Sequence, residues 1–482
     1  MGGHRGPAPW RVRVRGPATL ERLSAADASN VVLDAPDQVN AFLLAGLLAP
    51  GGWVPPGGVP DLDQLRAVVA ERIGDHPSGP TGPPSQDGAT DPPSTSTQPG
   101  STGSTGPLRR FSQRVVRRRR QLVWEPCEPD LRWHVRAVAP VDGSVGMAQL
   151  CAALMTQQVD PDRPLWELLV VPGAATDAPG LVLRVHHAVA DGAVGVQMLG
   201  ALLDPGRPVH AAQAPPVHAA QAPPVHASQA PPVPAVPTRR RIRLRPDVWL
   251  TGLRRVTAVL RATVPATVLL GPIGPHRGVA FAEVDLAPLA RAARGAGATV
   301  NDALLAAVCV ATEHALAVAG QPVPPVLPAS VPVVLPDHRG SGNAVGVMLV
   351  DLPTGEQDPG RRLAAVAART SAAKADARAQ GTFELTRTRW GARLFARLAR
   401  RQHFVALFVT NVRGPQEELS LGGAPLVRAW PVTPLQGNVR LGVSALSYAG
   451  RLGCTVHVDG DVLGADVLAR TLQEQLQEHP AG

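Results

Sequence analysis

Two adjacent histidines are the residues of this chain best suited to proton-transfer chemistry. His186 and His187 follow an apolar run over residues 181–185 that has the length of a buried strand. Three residues separate His187 from Asp191-Gly192. Catalytic groups are often mounted where a strand runs into a loop. An imidazole titrates near neutrality, so it can take a proton from a hydroxyl group. We therefore predict a general base here, with a turn merely lined by two histidines as the alternative.

Asp191 and Gly192 are expected to shape the turn between this strand and a helix predicted over residues 192–203. Asp191 lies four residues after His187, where it can form a buried ion pair or cap the N-terminus of the helix. Gly192 is expected to adopt a backbone conformation that other residues resist.

The elements around the histidines form a mixed pattern of strands and helices. In the N-terminal half we predict helices over residues 61–73, 147–158 and 192–203, and strands over 131–138, 168–171 and 181–185. In the C-terminal half we predict strands over 278–284, 329–335, 345–352, 405–410, 439–448 and 452–458, and helices over 286–294, 300–319, 361–379, 388–401 and 463–478. This alternation predicts an α/β (α+β) fold with two domains.

Three segments of low complexity divide the chain. We expect a disordered basic N-terminus over residues 1–19, an N-terminal domain over 20–206 with a disordered Pro/Gly/Ser/Thr-rich insertion over 77–107, and a C-terminal domain over 246–482. The linker between the domains, residues 207–245, repeats the octapeptide Val-His-Ala-Ala-Gln-Ala-Pro-Pro, which suits an extended chain. Its recurring histidines are better explained by duplication than by metal binding.

Composition restricts the partners and the compartment. The net charge of +9 suits nucleic acid, anionic lipid or the phosphates of a nucleotide-bearing molecule. Because nucleic-acid-binding motifs are lacking, we do not expect nucleic acid as a partner. Four scattered cysteines without a CxxC pair predict neither a metal site nor disulfides, and they fit a reducing cytoplasm. We expect no secretory signal and no membrane-spanning helix, but peripheral contact with a membrane or lipid droplet remains an expectation.

Several motifs together resemble one family. The His-His-x-x-x-Asp-Gly stretch resembles the HHxxxDG signature of CoA-dependent acyltransferases, and further blocks resemble the wax ester synthase/diacylglycerol acyltransferase family in particular. In chain order these are Pro164-Leu165-Trp166-Glu167, Thr299-Val300-Asn301-Asp302, residues 331–346, residues 410–415 and residues 444–451. Two blocks near the N-terminus depart from the family pattern: Ala28-Ser29-Asn30 replaces an expected aromatic residue, and Val39-Asn40-Ala41 replaces Pro-Met-His.

The resemblance implies two chloramphenicol-acetyltransferase-like domains, with mixed sheets flanked by helices and a tunnel at their interface. It implies transfer of a fatty acyl group from acyl-CoA, as co-substrate, to a lipid alcohol such as diacylglycerol or a long-chain alcohol, without a cofactor. His187 would be the general base, and His186 and Asp191 would shape its loop.

The resemblance also gives supporting roles to residues of the other blocks. Asn301 and Asp302 would start a helix near the tunnel, although Asn301 can equally be an N-cap. Leu165 and Trp166, after Pro164, are expected in the core. The alternative functions are a condensation-type acyltransferase that uses a carrier-protein donor, and a catalytically silent relative that binds lipid or CoA. The oligomeric state, the acyl chain length and the residues that bind the oxyanion cannot be predicted from the sequence.

Overall fold

The computed structural model describes residues 20–74, 106–119, 121–205, 264–334, 345–380 and 397–478, and the statements below concern these residues. The predicted basic N-terminus and the repeat linker lie outside them, as does all but the end of the predicted 77–107 insertion. The division into two domains at these boundaries therefore stays a prediction.

The N-terminal half supplies eight strands and five helices to the described fold. They are β1 (Glu21–Arg22), α1 (Ala25–Leu33), β2 (Ala41–Leu48), α2 (Leu62–Gly74), a 3-10 turn (Arg109–Ser112), β3 (Gln113–Arg118), β4 (Gln121–Pro126), α3 (Leu131–His134), β5 (Val135–Ala137), α4 (Gly143–Leu154), β6 (Trp166–Val171), β7 (Gly180–His186), α5 (Gly192–Leu202) and β8 (Asp204–Pro205).

The C-terminal half adds eight strands and four helices among the described residues. They are β9 (Arg277–Asp285), α6 (Leu286–Gly295), α7 (Val300–Val318), β10 (Leu327–Val334), β11 (Val345–Leu352), α8 (Pro359–Gln380), β12 (Leu407–Arg413), β13 (Leu419–Leu421), β14 (Ala424–Val432), β15 (Leu441–Tyr448), β16 (Arg451–Asp459) and α9 (Ala465–Gln477).

The strands form two large mixed sheets and one small one. The seven-stranded sheet has the order β5-β6-β7-β2-β14-β13-β8, and the six-stranded sheet has the order β11-β10-β12-β15-β16-β9. Each contains both parallel and antiparallel pairs, so the prediction of mixed sheets flanked by helices is confirmed. A third sheet has the order β1-β4-β3, and among the described residues its strands do not pair with those of the two large sheets.

One segment of the C-terminal half belongs to the sheet of the N-terminal half. Strands β13 and β14 pair with each other, and β14 pairs antiparallel with β2, next to the histidine-bearing strand β7. Gly46 of β2 is required by this pairing, since a Cβ there would lie 2.5 Å from Leu426 Cδ1 and 2.7 Å from the carbonyl oxygen of Arg428. This pairing, which was not predicted from the sequence, ties the two halves together within the sheet that contains β7.

Most predicted elements are confirmed, but the strand predicted over residues 131–138 was wrong in its first half. Residues Leu131–His134 form a helical turn because the Asp130 carboxylate accepts a hydrogen bond from the backbone N–H of Arg132, and only Val135–Ala137 is extended. Helix α1 and strands β1 to β4, β8, β13 and β14 were not predicted. The helix predicted over 388–401 lies largely outside the described residues.

Helix α7 is the central helix of the C-terminal half. By length and composition it could cross a membrane, with a mean hydropathy of 1.3, but 56% of that window is buried inside the protein. Its apolar side chains, such as Leu304, Leu305 and Val308, lie in one core with β10, β15 and β16. We therefore interpret α7 as a core helix, whose hydrophobicity is explained by packing.

Candidate active site

The two histidines lie where β7 ends and a short turn leads into α5. All residues of β7 are buried, because the strand lies in the middle of its sheet between β6 and β2. His186 is the last residue of β7 and pairs with Ala41 of β2, while His187 is the first residue of the turn. The predicted placement at the end of a buried strand is therefore confirmed.

The imidazole of His187 is half-buried and is held by its neighbours. Its ring centroid lies 5.2 Å from that of Phe42, with the ring planes tilted by 56°. Burial and the neighbouring His186 lower the pKa of His187 to about 4. A hydrogen bond with the backbone of Ala190 raises the pKa, but by less than these two effects lower it. A ring with this pKa is neutral at pH 7, which is the state in which an imidazole can accept a proton.

His186 is buried and has a different environment. Its Nδ1 accepts a hydrogen bond from the backbone N–H of Ala188 (2.9 Å), and its Nε2 lies 3.6 Å from Oδ2 of Asp34. Because Nδ1 is an acceptor, the ring proton belongs on Nε2, facing the carboxylate. Burial raises the pKa of Asp34, but His186, the N–H of Asn40 and Gln158 together bring it below its ordinary value. His186 thus contacts the turn through the N–H of Ala188 and faces Asp34.

Asp191 caps α5, which is one of the two roles predicted for it. Its Oδ1 accepts a hydrogen bond from the backbone N–H of Val194 (2.8 Å) in N-cap geometry. The expectation for Gly192 was wrong, since its φ is not in the left-handed region and an added Cβ would meet only Val412 Cγ2, at an ordinary 3.5 Å. Within α5, Gly195 has a steric reason, because a Cβ there would lie 2.9 Å from two ring atoms of Phe42.

Two asparagines that sequence reasoning did not select hold the backbone of His187. The His187 N–H donates to the carbonyl oxygen of Asn40 (2.9 Å), and the Asn30 side-chain amide donates to the carbonyl oxygen of His187 (3.0 Å). Both asparagines lie in the blocks that depart from the family pattern. That departure was the only available signal, and it did not reveal which group the asparagines bind.

The Pro164-Leu165-Trp166-Glu167 block supports β7 from the neighbouring strand β6. Leu165 and Trp166 are buried, as expected, and the backbone N–H of His186 donates to the carbonyl oxygen of Leu165 (3.1 Å). The Trp166 indole stacks on Phe111 and donates Nε1–H to its carbonyl oxygen (3.0 Å). Glu167 forms a buried ion pair with Arg184, two residues before His186. The block therefore positions the histidine strand.

Asn301 and Asp302 begin α7, but Asn301 is not its N-cap. Thr299 takes that position and forms a capping box in which Oδ2 of Asp302 accepts from the backbone N–H (2.9 Å) and the hydroxyl (2.7 Å) of Thr299. Oδ1 of Asp302 accepts from the Thr370 hydroxyl (2.6 Å). The N-cap was one of two roles weighed equally for Asn301, because Asn is favoured there, but the Thr-x-x-Asp spacing fits a capping box better.

Strand β12 connects the two halves of the candidate site. Asn411 donates from its side-chain amide toward Oδ1 of Asn301 (3.5 Å), and Val412, the next residue, lies beside Gly192 at the start of α5. The Asn301 end of α7 and the His187 turn therefore approach adjacent residues of the same strand. The structure thus brings together motifs that lie more than 100 residues apart in the chain.

An apolar cavity lies between α5 and the seven-stranded sheet. Its walls include Leu199 and Leu202 of α5, Leu44 of β2, Leu183 of β7 and Leu426 of β14. These residues belong to one sheet and its covering helix, so this cavity is not the predicted tunnel between the two halves. The tunnel stays a prediction.

Comparison with known proteins identifies one family over much of the chain. Residues 104–304 match the wax ester synthase/diacylglycerol acyltransferase catalytic domain, and residues 341–479 match the C-terminal domain of that family. A putative diacylglycerol O-acyltransferase of Mycobacterium tuberculosis is 31% identical over an alignment of 381 positions that covers 72% of this chain and 74% of the relative.

Solved structures share the fold. The wax ester synthase/diacylglycerol acyltransferase from Marinobacter aquaeolei VT8 aligns with a TM-score of 0.63 and 21% identity over 95% of this chain and 98% of that chain. The starter condensation domain of rhizomide synthetase, solved with C8-CoA, aligns with a TM-score of 0.51 and 12% identity over 96% of both chains. The sequence matches and the shared architecture agree: the chain belongs to the wax ester synthase/diacylglycerol acyltransferase family and is an acyltransferase of that type.

Proposed function

We propose that the chain transfers a fatty acyl group from acyl-CoA to the hydroxyl of diacylglycerol or of a long-chain alcohol, with His187 as the general base. The observation that carries this proposal is the placement of His187 at the end of β7: it is half-buried, neutral at pH 7 and held through both its backbone and its ring. The family membership and the name of the mycobacterial relative support the diacylglycerol acceptor.

The proposed reaction is a direct transfer. His187 takes the proton of the alcohol while the alcohol oxygen attacks the thioester carbonyl, and a tetrahedral intermediate forms. The intermediate collapses with cleavage of the carbon–sulfur bond, and the imidazolium returns the proton to the leaving CoA thiolate. The products are an ester and free CoA, so protons and electrons balance without a further reactant. General base catalysis of this kind contributes about 10²- to 10⁴-fold to the rate.

The neutral imidazole suits this step for a physical reason. An imidazole protonated before the substrate arrives cannot take the alcohol proton, and burial disfavours the protonated form. The same low-polarity surroundings suit two substrates with long apolar chains. His186, whose Nδ1 accepts from the N–H of Ala188, has its ring turned toward Asp34, which leaves the catalytic role to His187.

A panel of donors and acceptors tests the proposal. The purified chain is incubated with palmitoyl-CoA and either hexadecanol or dioleoylglycerol, and the esters are identified by mass spectrometry while released CoA is titrated with a thiol reagent. We expect palmitoyl ester and CoA in equal amounts. Palmitoyl-carrier protein is the comparison donor for the condensation-type alternative. Ester formation from the carrier protein but not from palmitoyl-CoA would refute the proposal, as would the absence of ester with every donor.

A further inference from the structure

Asn40 is the node of a hydrogen-bond network behind His187. It is 1% exposed, and its backbone N–H donates to Oδ1 of Asp34 (2.7 Å). Its carbonyl oxygen accepts from the His187 N–H, and its side-chain Nδ2 donates to the carbonyl oxygen (2.9 Å) and to Oδ1 (3.3 Å) of Asn30. Asn30 in turn binds the His187 carbonyl oxygen, so one asparagine controls both backbone contacts of the histidine.

The remaining polar atom of Asn40 is bound from the other half of the chain. Its Oδ1 accepts a hydrogen bond from the side-chain amide of Gln436, in the loop between β14 and β15. That loop is fixed within its own half, because Asn438 and Gln402 exchange hydrogen bonds of 2.9 and 2.8 Å. A rigid segment of the C-terminal half therefore contacts the network that holds His187.

A second contact between the same segments does not pass through Asn40. The Gln38 side chain donates to the carbonyl oxygen of Gly437 (2.6 Å) and accepts from its N–H (3.2 Å). Gln38 thus docks residues 37–40 on the C-terminal half without touching either asparagine in this network. It offers a matched control for the bond between Asn40 and Gln436.

We propose that Asn40 and Gln436 are positioning residues, which fix the His187 turn relative to the C-terminal half of the chain. The proposal rests on the proposed function, because that function requires His187 to meet substrates bound between the two halves. The physical reason is geometric: a general base works only within hydrogen-bond reach of its proton, and a displacement of about 1 Å can cost about 100-fold in rate.

The removal of Gln436 tests the proposal without removing a buried core side chain, since Gln436 is only partly buried. Gln436→Met keeps the size of the side chain but loses the donor to Asn40, and Gln38→Met makes the same chemical change at the control position. We expect Gln436→Met to lower kcat by about 10-fold, within the range of orienting residues, while KM for palmitoyl-CoA changes less than about 3-fold. We expect Gln38→Met to retain kcat within about 3-fold.

Amide hydrogen exchange gives a readout that does not depend on turnover. The His187 N–H is bonded to Asn40, so its exchange, followed by mass spectrometry in a peptide spanning residues 181–192, is expected to speed up in Gln436→Met and to stay at the wild-type rate in Gln38→Met. Thermal unfolding checks that both variants are folded.

Two results would overturn the proposal. One is a wild-type kcat or a wild-type exchange rate in Gln436→Met. The other is an equal loss of kcat in Gln38→Met, which would show that any contact between the two segments is sufficient to explain the effect. If the wild-type chain itself forms no ester, the proposed function fails, whereas the exchange comparison still decides whether Gln436 holds the His187 turn.

Discussion

Replacement of Asp302 by Ala is expected to lower the stability of the protein and leave its chemistry nearly intact. Asp302 belongs to a motif block that suggests a role at the substrate tunnel, but its carboxylate is 3% exposed and is occupied by other groups. One oxygen accepts two hydrogen bonds from Thr299 at the start of α7, and the other accepts one from Thr370 of α8. The side chain therefore joins two helices and has little capacity for a further partner.

The expected loss follows from these contacts. Removal of a capping side chain costs about 0.5–2 kcal/mol of stability. Loss of the partner of a buried hydroxyl costs about 1–3 kcal/mol, and the lower end applies here because the Thr370 hydroxyl retains a second acceptor in the Ala367 carbonyl oxygen. Together they lower the free energy of unfolding by about 2–3 kcal/mol, with kcat of the folded variant within about 3-fold of wild type.

Urea denaturation followed by circular dichroism measures the stability, and ester formation at 25 °C measures kcat. The variant Thr370→Val, alone and combined with Asp302→Ala, gives the coupling between the two side chains, expected at about 1 kcal/mol. Asn301→Ala is the neighbouring control and is expected to change stability by less than about 1 kcal/mol, since its side chain makes one long contact of 3.5 Å. Unchanged stability with a large loss of kcat in Asp302→Ala would refute the structural role.

Three further outcomes are expected. Because the pKa of His187 is about 4, kcat/KM should be constant from pH 8 to about pH 5 and fall below that as the ring is protonated; a fall already centred near pH 6.5 would contradict the lowered pKa. Gly195→Ala should push the Phe42 ring against His187 and lower kcat by about 10-fold. Gly200→Ala, on the same helix but with no neighbouring atom within 4 Å of the new Cβ, should retain the wild-type kcat. Equal kcat for the two variants would exclude the steric effect. Burial lowers the pKa of His457 to about 4, below the unfolded value near 6.5, so the unfolded chain binds the extra proton and the free energy of unfolding should fall as pH drops from about 6.5 to 4. In urea titrations, His457→Leu should lose less stability than wild type over this pH range. An identical loss would refute the assignment.

The local structure of the candidate site was predictable from the sequence because it lies in one continuous motif. An apolar run, two histidines and an acidic residue before a helix specify a strand, a turn and a capped helix, and each of these was found. The confirmed core positions of Leu165 and Trp166 follow from the same local logic, since large apolar residues at the start of a strand pack inward.

The partners that hold the motif were not predictable, because they come from distant parts of the chain. Asn30 and Asn40 lie about 150 residues before His187, and Gln436 lies about 250 residues after it, and nothing in their local sequence indicates what they bind. Strand β14 was missed because Pro425 and Pro431 interrupt its apolar run, and proline disfavours a strand. The pairing of β14 with β2 is set by packing across the whole fold.

Two local predictions failed because a polar side chain bound the backbone. Asp130 caps a helical turn within an alternating stretch that otherwise suits a strand, and Thr299 takes the N-cap position that was one of two roles considered for Asn301. Asp130 lies one position before the alternating stretch, whereas Thr299 lies within its motif block, two positions before Asn301. The prediction for Gly192 failed because its backbone φ is not in the left-handed region, so the position does not require glycine.

The most direct test of the account is the rate of ester formation by His187→Ala, measured beside His186→Ala with palmitoyl-CoA and dioleoylglycerol at pH 7.5. The account predicts that His187→Ala remains folded, by its circular dichroism and thermal unfolding, and that its kcat falls by at least about 10²-fold, as removal of a general base requires. A folded His187→Ala protein that forms ester at the wild-type rate would contradict the account.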